Sequence, residues 1–216
     1  MSLAAGCPRC PMPVLRSDPG ADSEWSCPDH GPIRPLWRPG EASYSVFTEH
    51  LGASRGFPTY LPWPMRPGWT VSDFGVVGTA QDRSALATMT CSSGAADPDG
   101  PIDVLVVAEE PGTGLGARCA GLIGMGPGSE VGSGPPSARV FVDGKSIPLW
   151  IASTSSSDRE FDRSVVVGEA GGRWLWLVLR PAAALLQLRD DWSLRDVSHL
   201  GPSLLELPFG GPTPQW

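Results

Sequence analysis

CPRC at residues 7–10 and CPDHG at residues 27–31 decide how the N-terminal part of this chain folds. In each motif two side chains that bind metals stand two residues apart, which gives the candidate ligands Cys7, Cys10, Cys27 and His30. Such a pair wraps one turn around a cation, and the sixteen residues between the pairs suffice for a hairpin that joins the two turns. The spacing therefore predicts a zinc ribbon whose Zn²⁺ is structural, because four protein ligands leave no coordination position open.

The residues around these motifs fit a ribbon. Val14–Leu15 and Glu24–Ser26 are its two predicted strands, joined by the turn-rich segment 17–22. Gly31 allows the chain to leave the second turn with a positive φ. Asp29 is an alternative to His30 as the fourth ligand, although a carboxylate matches a thiolate site less well.

The composition bounds the class of protein. The chain has 216 residues, of which 41% are hydrophobic and 18% charged, so it can bury a core. Its net charge of −7 argues against nucleic-acid binding, since there is no basic surplus to release counterions. Within residues 1–38 four arginines are balanced by four acidic residues, which leaves the ribbon without a basic stripe.

Fifteen arginines against one lysine, with no asparagine, indicate a GC-rich bacterial genome.

The sequence favours a cytoplasmic location. Its first residues, MSLAAGCPRC, lack the basic and apolar regions of a secretory signal. No window reaches 18 uninterrupted apolar residues, so no membrane insertion is expected. In the cytoplasm paired cysteines hold metals more often than they form disulfides, which again favours zinc.

Three parts are expected along the chain: a zinc-ribbon module at 1–38, a connecting strap rich in proline and aromatic residues at 39–68, and a β-rich domain at 69–216. Alternating proline and bulky residues in the strap favour an extended path pinned by Trp63 and Trp69. The predicted fold class is α+β, mostly β, with a mainly antiparallel sheet and one or two short helices packed on one face.

The predicted strands of the third part share β-branched and aromatic residues bounded by turn signals: Trp69–Val77, Ser84–Cys91, Ile102–Glu109, Ala138–Val142, Ser146–Ser153, Ser164–Glu169, Arg173–Arg180 and Leu204–Leu207. Asp143–Gly144 and Gly171–Gly172 predict hairpin turns. Short helices are predicted at Gly116–Leu122 and, after Asp190–Asp191, at Ser193–Leu200. Trp174 and Trp176 stand at period two and are expected in the core.

One glycine-rich loop could carry a ligand. Gly112, Gly114 and Ala117 fit a G-x-G-x-x-A pattern after an apolar strand, which makes Gly112, Gly114, Gly116 and Arg118 a candidate phosphate site. Glu109 and Glu110 would repel an anion there, and no alternating βαβ units follow. A glycine turn that leads into a short helix is the favoured interpretation. The two glutamates do not form an acid–base pair, since neighbouring strand residues point to opposite faces.

No catalytic residue is predicted. The chain has no G-x-S-x-G motif, and Cys91 and Cys119 have no histidine nearby in the sequence. The lack of such motifs favours a non-enzymatic protein, and an enzymatic role stays open as the alternative.

Four stretches resemble an uncharacterised family, a domain of unknown function from high-GC Gram-positive bacteria. They are CPRC with CPDHG, LPWPMRPGW at 61–69, VVAEEPGTGLGAR at 106–118 and GRWLWLVL at 172–179. The resemblance spans nearly the whole chain and implies a cytosolic protein with an N-terminal zinc-binding segment and one following domain. It implies no activity.

The expected function is therefore that of a non-enzymatic zinc-ribbon protein that acts through protein–protein interaction, as an accessory subunit of a larger complex. The alternative is a domain that handles a small ligand or phosphate, with or without enzymatic activity, through the loop at 112–118. Nucleic-acid binding is a third and disfavoured class.

Overall fold

A computed structural model of the protein describes residues 3–16, 24–78, 85–96, 100–152, 162–187, 192–214 and 216. Within these residues the protein is mostly β. Its strands, in chain order, are β1 (Leu3–Gly6), β2 (Leu15–Arg16), β3 (Trp25–Cys27), β4 (Gly31–Ile33), β5 (Leu36–Pro39), β6 (Tyr60–Pro62), β7 (Thr70–Val77), β8 (Ala87–Ala96), β9 (Gly100–Glu109), β10 (Ala138–Val142), β11 (Lys145–Ile151), β12 (Ser164–Ala170), β13 (Arg173–Arg180) and β14 (Ser193–Asp196).

Two α-helices accompany the strands, α1 (Tyr44–Ser54) and α2 (Leu115–Ala120), together with 3₁₀ turns at Ala182–Gln187 and Gly201–Glu206. None of the helices in the described part of the chain has the length and apolarity needed to cross a membrane. The predicted short helix at Gly116–Leu122 is confirmed by α2.

Eleven strands form one sheet in the order β1-β5-β7-β8-β9-β13-β12-β11-β10-β14-β6. All neighbours run antiparallel except β10 and β14, which are parallel. The other three strands, β2, β3 and β4, form a small separate sheet. The predicted class, α+β and mostly β with a mainly antiparallel sheet, is confirmed.

Both predicted hairpin turns are present. Asp143 and Gly144 join β10 to β11 with φ values of 47° and 82°, and Gly171 and Gly172 join β12 to β13 with 62° and 80°. Two successive positive φ values match the twist of the flanking strands, which is why Asp-Gly and Gly-Gly mark these positions.

The central strands β9 and β13 are buried on both faces. On one face their side chains pack with residues from β10, β11 and β14, including Val140, Leu149 and Leu194. On the other face Trp176 packs with Leu115 and other buried residues of α2. Trp176 is fully buried and Trp174 packs against the same cluster, so the prediction that both belong to the core is confirmed.

The N-terminal segment joins the main sheet. Strand β1 pairs with β5, and β5 pairs with β7, so strand pairing crosses the predicted boundaries at residues 38 and 68. The three-part division stays a prediction. The connecting strap at 39–68 is not extended throughout, because it contains the helix α1; its later part includes the extended strand β6. Ser43 caps α1, and Phe47 packs against Phe74 of β7, so tertiary contact fixes a helix whose local signal is weak.

Two predicted elements near the C-terminal end are wrong. Ser193–Leu200 is not a helix: Ser193–Asp196 is β14, because pairing with β6 and β10 and burial of Leu194 override local preference. Leu204–Leu207 is not a strand, since a 3₁₀ turn occupies Gly201–Glu206. The predicted turn at 17–22 and the residues Asp190–Asp191 lie outside the described residues.

Candidate metal centre

The four predicted ligands come together at one point. Cys7 and Cys10 lie on the turn after β1. Cys27 is the last residue of β3, and His30 lies on the turn between β3 and β4. Their ligand atoms all lie within 4.8 Å of one another, with Cys7 and Cys27 buried. Gly31 leaves the second turn with φ of 64°, as predicted. The structure therefore places a cluster compatible with a metal site at the N-terminal end of the chain.

The spacing of the donors fits a tetrahedral cation. The Sγ atoms of Cys10 and Cys27 are 3.5 Å apart. Nδ1 of His30 lies 3.7 Å from Sγ of Cys7 and 3.5 Å from Sγ of Cys27. Ligands at about 2.1–2.3 Å from one central ion are about 3.5–3.8 Å apart along the edges of a tetrahedron. The other donor pairs lie within 4.8 Å, so three thiol groups and one imidazole nitrogen leave room for one ion between them.

The pKa values of two ligand thiols, Cys10 and Cys27, are displaced in opposite directions. Burial opposes ionisation at both Cys10 and Cys27. It raises the pKa of Cys10 to about 11, helped by the neighbouring thiols. At Cys27 hydrogen bonds from His30 and from the backbone of Asp29 outweigh burial and lower the pKa to about 6. Cys10 and Cys27 therefore do not ionise together on their own, whereas a cysteine that binds a divalent ion does so as a thiolate.

The first turn, which we call the first knuckle (residues 7–10), is fastened to the main sheet through the glycine-rich loop. Arg9 donates from Nε to the carbonyl of Thr113 at 3.2 Å and from Nη2 to the carbonyl of Gly112 at 3.1 Å. In the opposite direction, Nη1 of Arg118 donates to the carbonyl of Cys7. Three hydrogen bonds thus join the knuckle to the loop and to α2.

An aromatic contact fastens the second half of the ribbon. Trp25 of β3 packs edge-on against Trp37 of β5, with ring centroids 5.5 Å apart. Nε1 of Trp37 donates to the carbonyl of Gly78 at 2.9 Å. Leu36, next to Trp37, is buried in the core cluster that α2 covers. Through these residues the ribbon therefore packs against the main sheet of the same chain.

The structure places the residues of the candidate phosphate site in contact with protein groups. The carbonyl of Gly112 accepts from Arg9, and Gly114 precedes α2 with φ of 85°. At Gly116 the Cα lies so close to the indole of Trp176 that a Cβ would be 2.2 Å from Nε1. Arg118 turns to the Cys7 carbonyl. These contacts favour a docking role for the loop, and phosphate binding there stays a prediction.

The two glutamates before the loop lie in different surroundings. Glu109 is fully buried and accepts a hydrogen bond from the backbone N–H of Gly116 at 3.1 Å, in the first turn of α2. Burial raises the pKa of Glu109 to about 7, against the lowering effect of backbone N–H groups of α2. Glu110 is half-buried and pairs with Arg173 at 2.9 Å. They do not share one environment, so they do not act as a pair.

A cleft of about 220 Å³ lies between the ribbon and the glycine-rich loop. The ribbon contributes Pro8, Arg9 and Ile33 to its walls, and the loop contributes Glu110 and Gly112. This volume is smaller than that of a typical site for a drug-sized ligand. A cleft of this volume is large enough for a single side chain or a small metabolite.

Two segments that adjoin the first knuckle carry exposed apolar side chains. Met12 and Leu15 follow it in the ribbon, and Ile123 and Met125 follow α2. A Cβ on Gly114 would lie 3.1 Å from Cγ of Arg9 and 3.6 Å from Cγ of Met125, so Met125 lies beside the knuckle. We call these four residues the knuckle surface.

A group of residues beside the metal cluster was not predicted from the sequence. Arg38, Asp73, Arg118 and Trp216 meet beside the first knuckle: the guanidinium groups of Arg38 and Arg118 lie 4.1 and 4.7 Å from the ring of Trp216. Asp73 pairs with Arg38 and accepts from Nε1 of Trp216 at 3.2 Å. Only long-range contacts join these residues, so no local pattern reveals them.

Comparison with known protein families identifies the family of this chain. A family described as a family of unknown function (DUF6758) matches residues 1–216, the whole chain. No curated protein and no solved structure matches the chain.

Proposed function

Since the chain belongs to this family of unknown function, we propose from the geometry of the Cys₃His cluster that it is a structural zinc protein. The zinc-held ribbon presents the knuckle surface to a protein partner in the cytoplasm. The protein then acts as an accessory subunit of a complex and carries out no catalysis at the metal.

Zinc is supported by the donor set and by its spacing. Three thiolates and an imidazole select soft, tetrahedral ions, and Zn²⁺ is the common one in structural sites of this composition. The cluster is pinned by Arg9 and Arg118 and has four protein donors, so a bound ion keeps no position for a substrate. A structural role is therefore favoured over a catalytic one.

A protein partner is supported by the side chains that the ribbon leaves exposed. Leu15 is 66% exposed and lies in a strand of a small sheet, and Ile123 is fully exposed beyond α2. Large exposed apolar side chains are enriched at interaction sites, and here they stand on two segments that adjoin the first knuckle. Because the ribbon needs its metal to fold, zinc controls whether this surface exists.

The first test combines metal analysis with partner capture. Protein purified without added zinc should contain about one zinc per chain by mass spectrometry, and Cys27→Ser should lose it. A stoichiometric companion should be captured by the wild type and lost both in Cys27→Ser and in the double variant Leu15→Asp/Ile123→Asp. Absence of any metal from the wild type would refute the proposal.

A matched control distinguishes binding through the knuckle surface from non-specific binding through any exposed apolar side chain. Leu205 is 67% exposed, close to the value for Leu15, and lies in the 3₁₀ turn Gly201–Glu206. Leu205→Asp should retain the companion. If it loses the companion as well, capture does not depend on the knuckle surface and the interaction part of the proposal fails.

The cleft between ribbon and loop supports the alternative function, binding of a small ligand or phosphate. Its polar groups, Arg9 and Glu110, and its apolar walls would suit a small metabolite with both kinds of group. This alternative predicts that such a ligand raises the melting temperature of the wild type and not of Arg9→Ala, because Arg9 lines the cleft. Zinc without a companion, together with that result, would favour it.

A further inference from the structure

Arg118 joins the metal cluster to the rest of the protein. It lies in α2, where its Nη1 donates to the carbonyl of Cys7, the first of the four ligands. Its Nε is buried and has no hydrogen-bond partner. A guanidinium that holds a ligand's own carbonyl fixes the position of that ligand, as groups just outside metal sites commonly do.

The charges around Arg118 point to the same role. A divalent ion (+2) with three thiolates (−3) and a neutral imidazole carries a net charge of −1. Among the described residues no carboxylate forms an ion pair with Arg118, since Asp73 is engaged by Arg38 and by Trp216. The half-buried positive charge of Arg118 is therefore balanced by the net negative charge of the metal-loaded centre. Burial strengthens the attraction between the two charges.

Trp216 connects this arrangement to a distant part of the chain. Its ring lies against both guanidinium groups, 4.7 Å from Cζ of Arg118 and 4.1 Å from Cζ of Arg38. Its Nε1 donates to Asp73 in β7. An indole in this position holds Arg118 in place by cation–π attraction and restricts its movement.

We propose that Arg118 is a positioning residue of the metal centre and that the seating of Trp216 is linked to metal binding. Arg118 fixes the first knuckle through the Cys7 carbonyl and balances the charge of the loaded site, and Trp216 holds Arg118 in that position. By linkage, metal binding strengthens the seating of Trp216 to the same degree that Trp216 strengthens metal binding. This inference rests on the proposed metal centre.

Metal affinity tests the role of Arg118. Zinc affinity is measured by competition with a chromophoric chelator in the wild type, Arg118→Met, Arg118→Lys and Arg139→Met. Arg118→Met should bind zinc about 10- to 100-fold more weakly, the usual loss when a group outside the ligands is removed. Arg118→Lys keeps the charge without the planar fork and should recover part of the affinity.

Arg139 is the matched control. It lies in β10 and its guanidinium meets Ser146, so its replacement should leave zinc affinity unchanged. Affinity of Arg118→Met within about twofold of the wild type would overturn the proposal while leaving the zinc centre intact. A wild type that binds no zinc would instead refute the proposed function, so the two failures are distinguishable.

Replacement of Trp216 tests the linkage and serves if Arg118→Met does not fold. Trp216→Leu should weaken zinc binding by a smaller factor than Arg118→Met, on the order of tenfold or less. The thiolate-to-cobalt absorption of Co²⁺-loaded protein should keep its intensity at saturation, since all four ligands are still present. Unchanged affinity in Trp216→Leu would overturn the linkage.

A second readout follows Trp216 itself. In protein labelled with fluorotryptophan, the ¹⁹F resonance of Trp216 is assigned with Trp216→Phe. Removal of zinc with a chelator should shift this resonance. The resonance of Trp150, whose indole donates to the carbonyl of Gly134 in another part of the sheet, should stay in place. A Trp216 resonance that does not respond to the chelator would contradict the linkage.

Discussion

The ribbon and the central strands of the main sheet are stabilised in different ways. Strands β2, β3 and β4 have two or three residues each, and Leu15, the large apolar residue of β2, is exposed. Strands β9 and β13, in contrast, contribute apolar side chains to cores on both faces. Burial of apolar surface is sufficient for the central strands, whereas the proposed function makes the ribbon depend on its four ligands and a bound ion.

Removal of the metal should separate the two regions most sharply. In Cys27→Ser, or after chelation, amides of residues 24–33 should lose protection from hydrogen exchange, while those of β9 and β13 keep it. The expected effect is the largest here, since structural zinc contributes on the order of 10 kcal/mol to ribbon folding. Hydrogen-exchange mass spectrometry measures both regions in one experiment.

Cys91→Ser is the control for this experiment. Cys91 is a buried cysteine of β8 outside the metal cluster. Its replacement should leave the zinc content and the protection of residues 24–33 unchanged. Equal loss of protection in β9 and in the ribbon after chelation would show that the two regions unfold as one unit.

A cavity in the central strands should give the opposite result. Trp176 is fully buried and its indole lies directly on Gly116 of α2. Trp176→Ala should lower the free energy of unfolding by about 3–5 kcal/mol, as large-to-small changes in cores do. Chemical denaturation measures this loss, and the zinc content of the folded protein should be unaffected.

Trp174 is the matched partner in the same strand. It points to the same face of β13 and is only partly buried, so Trp174→Ala should cost less than Trp176→Ala. Equal losses from the two substitutions would mean that burial does not govern the stability of this strand.

The sequence predicted the two regions for different reasons. Four ligands at fixed spacing and two hairpin turns are local signals, so the cluster of Cys7 and His30 and the β10–β11 and β12–β13 hairpins followed from short stretches. Contacts with residues distant in the sequence determine strand β14 and the 3₁₀ turn at Gly201–Glu206. The local pattern therefore predicted the wrong secondary structure at both places. The group around Trp216 has no local pattern either, because Arg38, Asp73 and Arg118 reach it from distant elements.

The contact between α1 and β7 makes the core sensitive to acid. His50 of α1 is fully buried, stacked on Phe47 at 5.5 Å and near Phe74 at 5.3 Å, with the Thr59 hydroxyl 3.4 Å from Nε2. Burial lowers the pKa of His50 to about 3, from 6.5. The unfolded chain therefore binds a proton that the folded one does not, and stability falls as pH drops below about 6.5.

This histidine should account for about 2 kcal/mol of destabilisation between pH 8 and pH 5. The measurement is the free energy of unfolding of the wild type and of His50→Gln at both pH values. Glutamine does not titrate, so the variant should lose less stability on acidification than the wild type. The same loss in both proteins would show that His50 does not titrate in this way.

The smallest expected effect concerns the N-terminal cap of α1, a helix that lies between the ribbon and the central strands in the sequence. Ser43 has extended backbone angles, and its hydroxyl accepts from the N–H of Val46 at 3.5 Å. Ser43→Ala should cost about 0.5–1 kcal/mol, because that N–H loses its partner at the first turn. Ser45→Ala, two residues later, is the control and should cost less. A loss in Ser43→Ala as large as that from a core cavity would mean that the cap, and not the packing of Phe47, determines whether α1 forms. The helix would then be specified by local sequence, as the ribbon is.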